Sequence, residues 1–168
     1  MVGDAVDFTM NGDIFNDASY INAAFIKTGS GTMEMNGTIS TTNLASSITE
    51  GTLLLNKSGA TIADVDFDLQ GGTLALAAGT ANTMGVVNVT ADSAVAVGAG
   101  TSAVLENLTV GDGATLAITF TGDIDGKGVK VNAALDDATL AKIKLNGRRA
   151  KQSSDGYLSI GGLMIIVR

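Results

Sequence analysis

The 168-residue chain is predicted to be all-β: a right-handed parallel β-helix (β-solenoid) of about five coils with roughly 21 residues per coil, capped at both ends. Three observations predict this. Short apolar strands recur at a fixed period. Apolar residues make up 45% of the chain but aromatics only 4%, so the core must be built of small aliphatic side chains and must be thin. There are 22 Gly and no Pro, Cys, His or Trp. Thin, uniform cores belong to stacked arrays in which each layer touches only its neighbours.

The recurring strands are Thr32-Met33-Glu34-Met35, Thr52-Leu53-Leu54-Leu55, Thr73-Leu74-Ala75-Leu76, Ala94-Val95-Ala96-Val97 and Thr115-Leu116-Ala117-Ile118, which start 20 or 21 residues apart. Side chains alternate along a strand. Met33, Leu53, Leu74, Val95 and Leu116 are therefore expected to stack as one inward column, and Met35, Leu55, Leu76, Val97 and Ile118 as the next. Thr32, Thr52, Thr73, Ala94 and Thr115 would face outward beside Glu34, Leu54, Ala75, Ala96 and Ala117. A small residue precedes each strand (Gly31, Gly51, Gly72, Ser93, Ala114), as a tight corner requires.

A second strand is expected before each corner. Val65-Asp66-Phe67-Asp68-Leu69 alternates with Val65, Phe67 and Leu69 inward. Val87-Asn88-Val89 and Leu108-Thr109-Val110 fall about one residue out of register with it. A weaker third strand includes Thr61-Ile62-Ala63, Thr83-Met84 and Ala103-Val104-Leu105. A sandwich of hairpins is the rival. It would place Asn-Gly or Asp-Gly turns once per coil, and the pairs at 11–12, 36–37, 112–113, 146–147 and 155–156 do not recur that way.

Residues 1–25 read as an N-terminal cap, 26–118 as solenoid repeats and 119–168 as a C-terminal cap. The cap strands are Ile143-Lys144-Leu145, Gly156-Tyr157-Leu158-Ser159-Ile160 and Met164-Ile165-Ile166-Val167. Caps are needed because a bare terminal coil is an open β edge. Helical periodicity is nearly absent, and Asp136-Asp137-Ala138-Thr139-Leu140-Ala141-Lys142 is the one helical turn expected.

The stretch Phe25-Ile26-Lys27-Thr28-Gly29-Ser30-Gly31-Thr32-Met33-Glu34-Met35-Asn36-Gly37 resembles the autotransporter-associated β-strand repeat, whose pattern runs apolar-x-Lys-x-Gly-x-Gly-Thr-Leu-x-Leu-x-Gly. Ser47-Ile48-Thr49-Glu50-Gly51-Thr52-Leu53-Leu54-Leu55 resembles the strand that usually follows it. The likeness is good over 25–57 and looser to about 118; of the family's intervening Asn-Thr-Tyr segment only Asn43 is present. The resemblance implies a β-helical passenger region of a secreted or surface-anchored bacterial protein, extracellular or on the outer surface. It carries over no catalytic residues.

The net charge of −7 is unevenly spread. Residues 1–126 hold 14 acidic and 2 basic residues, whereas 127–168 hold 8 basic and 3 acidic. The body should repel nucleic acid, and no aromatic platform accompanies the basic end, so nucleic acid is not an expected partner. Met1 is followed by an acidic stretch rather than a signal peptide. Gly161-Gly162-Leu163-Met164-Ile165-Ile166-Val167 is too short to cross a bilayer as a helix, so no membrane span is expected.

Without His or Cys, the commonest bases, nucleophiles and soft metal ligands are missing. Asp64, Asp66 and Asp68 alternate on one strand. They read as a solvated outer face, as Ca²⁺ ligands, or as an acid/base pair about 7 Å apart. Asp123-Ile124-Asp125-Gly126 has the opening of an oxygen-ligand Ca²⁺ loop, but position 12 of an EF-hand would be Ala134 rather than Glu. No cofactor other than Ca²⁺ is suggested.

Lys142, Lys144, Arg148, Arg149 and Lys151 form a basic cluster. It reads as a contact for anionic glycans, as a contact for the acidic body of a neighbouring copy, or as charges blunting an exposed edge. The leading expectation is a non-enzymatic extracellular stalk or adhesin-like module that binds glycans or copies of itself. The alternatives are a small β-helical polysaccharide lyase or hydrolase using Asp64, Asp66 or Asp68, and a purely structural passenger spacer.

Overall fold

The computed structural model describes residues 6–15, 25–40, 46–61, 65–122 and 128–160. The elements are β1 (Val6–Met10), β2 (Ile14–Phe15), β3 (Ile26–Lys27), β4 (Thr32–Met35), β5 (Ile39–Ser40), β6 (Ser46–Ile48), β7 (Thr52–Leu55), β8 (Phe67–Leu69) and β9 (Thr73–Leu76). After them come β10 (Ala81–Val89), β11 (Ser93–Val97), β12 (Ser102–Val110), β13 (Leu116–Phe120), β14 (Val129–Val131), α1 (Asp137–Lys142), β15 (Ile143–Leu145), β16 (Arg148–Gln152) and β17 (Leu158–Ile160).

Apolar residues alternate with small polar ones in most of these segments, so one side of each strand must be buried. Stacking successive coils buries that side. The result is a β-solenoid of about five turns, with about 21 residues per turn and parallel sheets.

Among the described residues the strands form sheets of nine, six and two strands. In the nine-stranded sheet β1, β4, β7, β9, β11, β13 and β15 follow one another in parallel, and β16 and β17 complete it antiparallel. The six-stranded sheet runs β14-β12-β10-β8-β6-β3, and β2 pairs with β5. The ladder thus extends past both ends of the 26–118 repeat, through β1 on one side and β15 on the other.

The second and third expected strands are continuous in two coils. β10 and β12 are each nine residues long. Asn82 and Met84 point inward on one face and Val87 and Val89 on the next, and two residues, Gly85 and Val86, turn the corner between them. The expected slip of one residue in the second strand is absent. Phe67 pairs with Val87 and Val87 with Leu108, so these columns stack in register, spaced by 20 and 21 residues.

One expected column is corrected. The inward column continues from Val95 to Ile118 and then Leu145, not from Val95 to Leu116; Leu116 stacks instead on Ser93 and Ile143. The cause lies in the corner. Residues 90–92 join β10 to β11, but the five residues 111–115 join β12 to β13. Two extra residues preserve the period-two alternation, so every inward side chain stays inward while the stacking partners move by two. The outward columns move too. Ala117 lies over Ala94 and Thr119 over Ala96, while the Thr115 backbone N–H and hydroxyl both donate to Asp92 Oδ1, at 2.8 and 2.9 Å. Thr115 therefore leaves the outward threonine column.

The core is aliphatic, with Leu53, Leu55, Leu74, Leu76, Val87, Val89, Leu116 and Ile118 buried around Phe67. Gly51 shows why corners need glycine. Its φ is +66°, and a Cβ there would lie 2.3 Å from the Gly29 carbonyl oxygen. Parallel stacking ends at Asn146-Gly147, with φ values of 45° and 79°, both left-handed as a two-residue hairpin turn requires. This turn reverses the chain into β16, and the β16–β17 hairpin covers the sheet edge left by β15. Helix α1 forms where the helical turn was expected. Asp136 caps it by accepting from the Thr139 backbone N–H at 2.7 Å.

Candidate functional site

The lateral carboxylates come first. Asp66 lies just before β8, and its Oδ1 accepts from the Val86 backbone N–H at 2.6 Å, bracing the corner of the next coil. Asp68 Oδ1 accepts from Asn88 Nδ2 at 3.2 Å, and Asn88 Oδ1 accepts from the Thr109 hydroxyl at 2.6 Å. These two carboxylates serve cross-coil ladders. Asp64, Asp123 and Asp125 lie outside the described residues. Among the described residues no group of three or more carboxylates is placed to hold a metal ion.

The basic cluster divides by strand geometry. Lys142 closes α1 and turns back onto the corner after β12. Its Nζ donates to the Val110 and Gly111 carbonyls at 3.1 and 3.2 Å and pairs with Asp112 at 2.9 Å. That hydrogen bond, with the lysine's charge, holds the exposed Asp112 carboxyl below the usual carboxylate range. The Thr139 backbone N–H does the same for Asp136. Lys142 is thus a tether between helix and solenoid, with no free ammonium left for a ligand.

Lys144 and Arg149 lie directly opposite each other across the antiparallel β15–β16 pair. Opposed residues share a face, and Lys151, two residues beyond Arg149, shares it too. Arg148 lies on the other face. All four are exposed. Arg149 Nη2 donates to the Asp137 carbonyl at 3.2 Å, which fixes the guanidinium against α1. The column that continues from Lys144 runs through Ala117 and Ala94 to Thr73, Thr52 and Thr32 with no carboxylate, and the outward column beside it carries Glu34 in β4, hydrogen-bonded to Asn56. Beside it a groove of about 690 Å³ is lined by Asp137, Leu140, Arg149, Ala150, Lys151 and Gln152. Gln152 is committed to the frame: its amide donates to the Val131 and Ala133 carbonyls and accepts from Leu135 N–H.

Two polar devices are not evident from the strand pattern. Lys27 occupies an inward column, over Ile48, and is 7% exposed. Its Nζ donates to the carbonyls of Thr28, Gly29 and Glu50, at 3.1, 2.7 and 3.2 Å. In addition, Asn11, Asn36 and Asn56 form a side-chain ladder with two links of 2.9 Å, and Asn56 also donates to Glu34 at 2.7 Å. The signal available in the sequence was Met-Asn-Gly at 10–12 and again at 35–37.

Fold and site together define a β-solenoid with one basic, grooved end. Comparison with protein-family models, curated proteins and solved structures found no match. Among the described residues no helix is long and apolar enough to cross a membrane.

Proposed function

We propose that this chain is a non-enzymatic binding module: a rigid extracellular β-solenoid of a bacterial surface protein whose basic end engages acidic glycans. The observation that carries this reading is the opposition of Lys144 and Arg149, with Lys151 beside them and no carboxylate in the column that runs on from Lys144 through Ala117, Ala94, Thr73 and Thr52 to Thr32. Like charges directly opposite on a sheet are destabilising. A polyanion laid across the three cations would offset that repulsion and give the arrangement a use. The lateral carboxylates support the non-enzymatic part, since Asp66 and Asp68 are engaged in bracing neighbouring coils. The repeat resemblance over 25–57 supports the surface-protein part.

The test is binding of the purified protein to immobilised acidic and neutral polysaccharides at low and high salt. Acidic glycans should be retained and lost as salt shortens the screening length from about 10 Å at 0.1 M to about 3 Å at 1 M. A Lys144→Ser/Arg149→Ser/Lys151→Ser variant should lose binding, while Arg148→Ser should keep most of it. Equal binding by the triple variant and the wild type would refute the site.

A further inference from the structure

The two ends of the solenoid differ in kind. At the C-terminal end the β16–β17 hairpin and α1 cover the last coil. At the N-terminal end, among the described residues, β1 and β3 are the outermost strands of their sheets and β2 pairs only with β5. The exposed large hydrophobics of the described chain all lie on these three strands: Phe8 at 53%, Phe15 at 71% and Ile26 at 59%. Phe8 pairs with Met33, which heads an inward column, and its ring is exposed. Phe8 and Ile26 also line a groove of about 470 Å³. Open strand edges and large exposed apolar side chains at one place mark an association surface.

We infer that the N-terminal end docks onto the basic C-terminal end of a second copy, so that the solenoids join head to tail. Charge selects this occupant. Residues 1–40 hold five acidic residues and one basic, a net −4, and residues 127–168 carry a net +5, so unlike ends attract whereas two like ends repel. The receiving surface suits the knobs: the cap groove offers Leu140 and the stems of Arg149 and Lys151, and a guanidinium stacks favourably on an aromatic ring. The contact is heterologous. Each joined pair leaves one free end of either kind, and the assembly is an open chain rather than a closed dimer.

Sedimentation velocity at rising protein concentration tests this with two variants altered only at exposed positions. Phe15→Ser/Ile26→Ser disables the N-terminal end, and Lys144→Glu/Lys151→Glu disables the cap. Wild type should show a mass distribution that grows past the dimer with concentration and shrinks in high salt. Each variant alone should stay monomeric with an unchanged melting curve, and an equimolar mixture should form one-to-one dimers and nothing larger, because it retains one working end of each kind. Wild type that remains monomeric at about 1 mM would overturn the inference. So would a dimer that does not grow and that the cap variant still forms, since that is pairing of like ends. The N-terminal variant keeps its basic end and should bind acidic glycans as wild type does, so loss of stacking and loss of glycan binding are read separately.

Discussion

Replacing Lys27 by Met keeps the length and packing of the stem and removes only the ammonium. In the native corner that ammonium satisfies three backbone carbonyls, from Thr28, Gly29 and Glu50, with donor–acceptor distances of 3.1, 2.7 and 3.2 Å. Hydrogen bonds from a charged donor contribute roughly 1.5–3 kcal/mol each. The three residues that supply the carbonyls are exposed, so water takes over part of the loss, and the expected total is about 3 kcal/mol. At roughly 2–4 °C per kcal/mol for a chain of this size, the melting temperature should fall by about 6–12 °C. Lys57→Met is the matched control: Lys57 is half-buried and its ammonium has no partner among the described residues. Circular dichroism melting of both variants reads the difference. A Lys27→Met transition within about 2 °C of wild type, on the same scale, would refute the view that this lysine holds the first corner.

Three further outcomes follow from the packing and charges. Leu74→Asp places a carboxylate in the inward column between Leu53 and Val95, so the cooperative melt should fall by more than about 10 °C or vanish; an unchanged melt would show that the column is not buried. Deleting Gly113 alone should unseat β13, because a shift of one residue turns Leu116 and Ile118 outward. Deleting Asp112 and Gly113 together restores the three-residue corner of the preceding coil and should leave the protein folded, and urea unfolding that ranks the two deletions the other way would contradict the parity argument. Asp112 and Asp136 have folded-state pKa values below their unfolded ones. Their contribution is therefore complete above the unfolded value, roughly pH 3.9, and is lost as pH falls through the lowered folded values. The stability gap between wild type and Asp136→Ala should then narrow in acid, and a gap unchanged at about pH 2 would count against the cap hydrogen bond.

The stacked architecture is legible in the sequence because each coil must present the same inward pair to the coil before it. Leu53, Leu74 and Val95 meet as their spacing implies. The register of β13 is not legible, and the reason is physical. An insertion of two residues at 111–115 preserves alternation, so Leu116 looks as inward as Ile118 although the two stack on different partners. The site was legible as composition but not as geometry. Five cations lie close together in sequence, yet only the turn at Asn146-Gly147 sets Lys144 against Arg149 and sends Arg148 to the other face. The division of labour among the acids was equally hidden. Asp66 and Asp68 alternate as a catalytic or metal-binding pair would, but their bonds run to residues 20 positions away in the next coil.

Lys27 and Lys142 show why charge alone does not identify a binding residue in a solenoid. A corner that leaves the sheet exposes carbonyls that no neighbouring strand satisfies, and this happens where the stack begins and where its last coils give way to the cap. A lysine can lay its aliphatic stem along the apolar column and turn its ammonium under those carbonyls. Lys27 does so at the corner after β3, over Ile48, and Lys142, at the end of α1, brings its ammonium to the Val110 and Gly111 carbonyls after β12. Both are bound by the frame itself. Within the basic cluster, Lys144 faces another cation, Arg149, with Lys151 beside them on the same exposed face, and these are the charges the sheet holds out toward a partner. Removing Lys142 should therefore loosen the helix from the solenoid and lower stability, whereas removing Lys144 should relieve repulsion, leave stability unchanged or slightly raised, and weaken polyanion binding. The opposite pattern from paired melting and binding measurements would place the ligand on the corner instead of the cap.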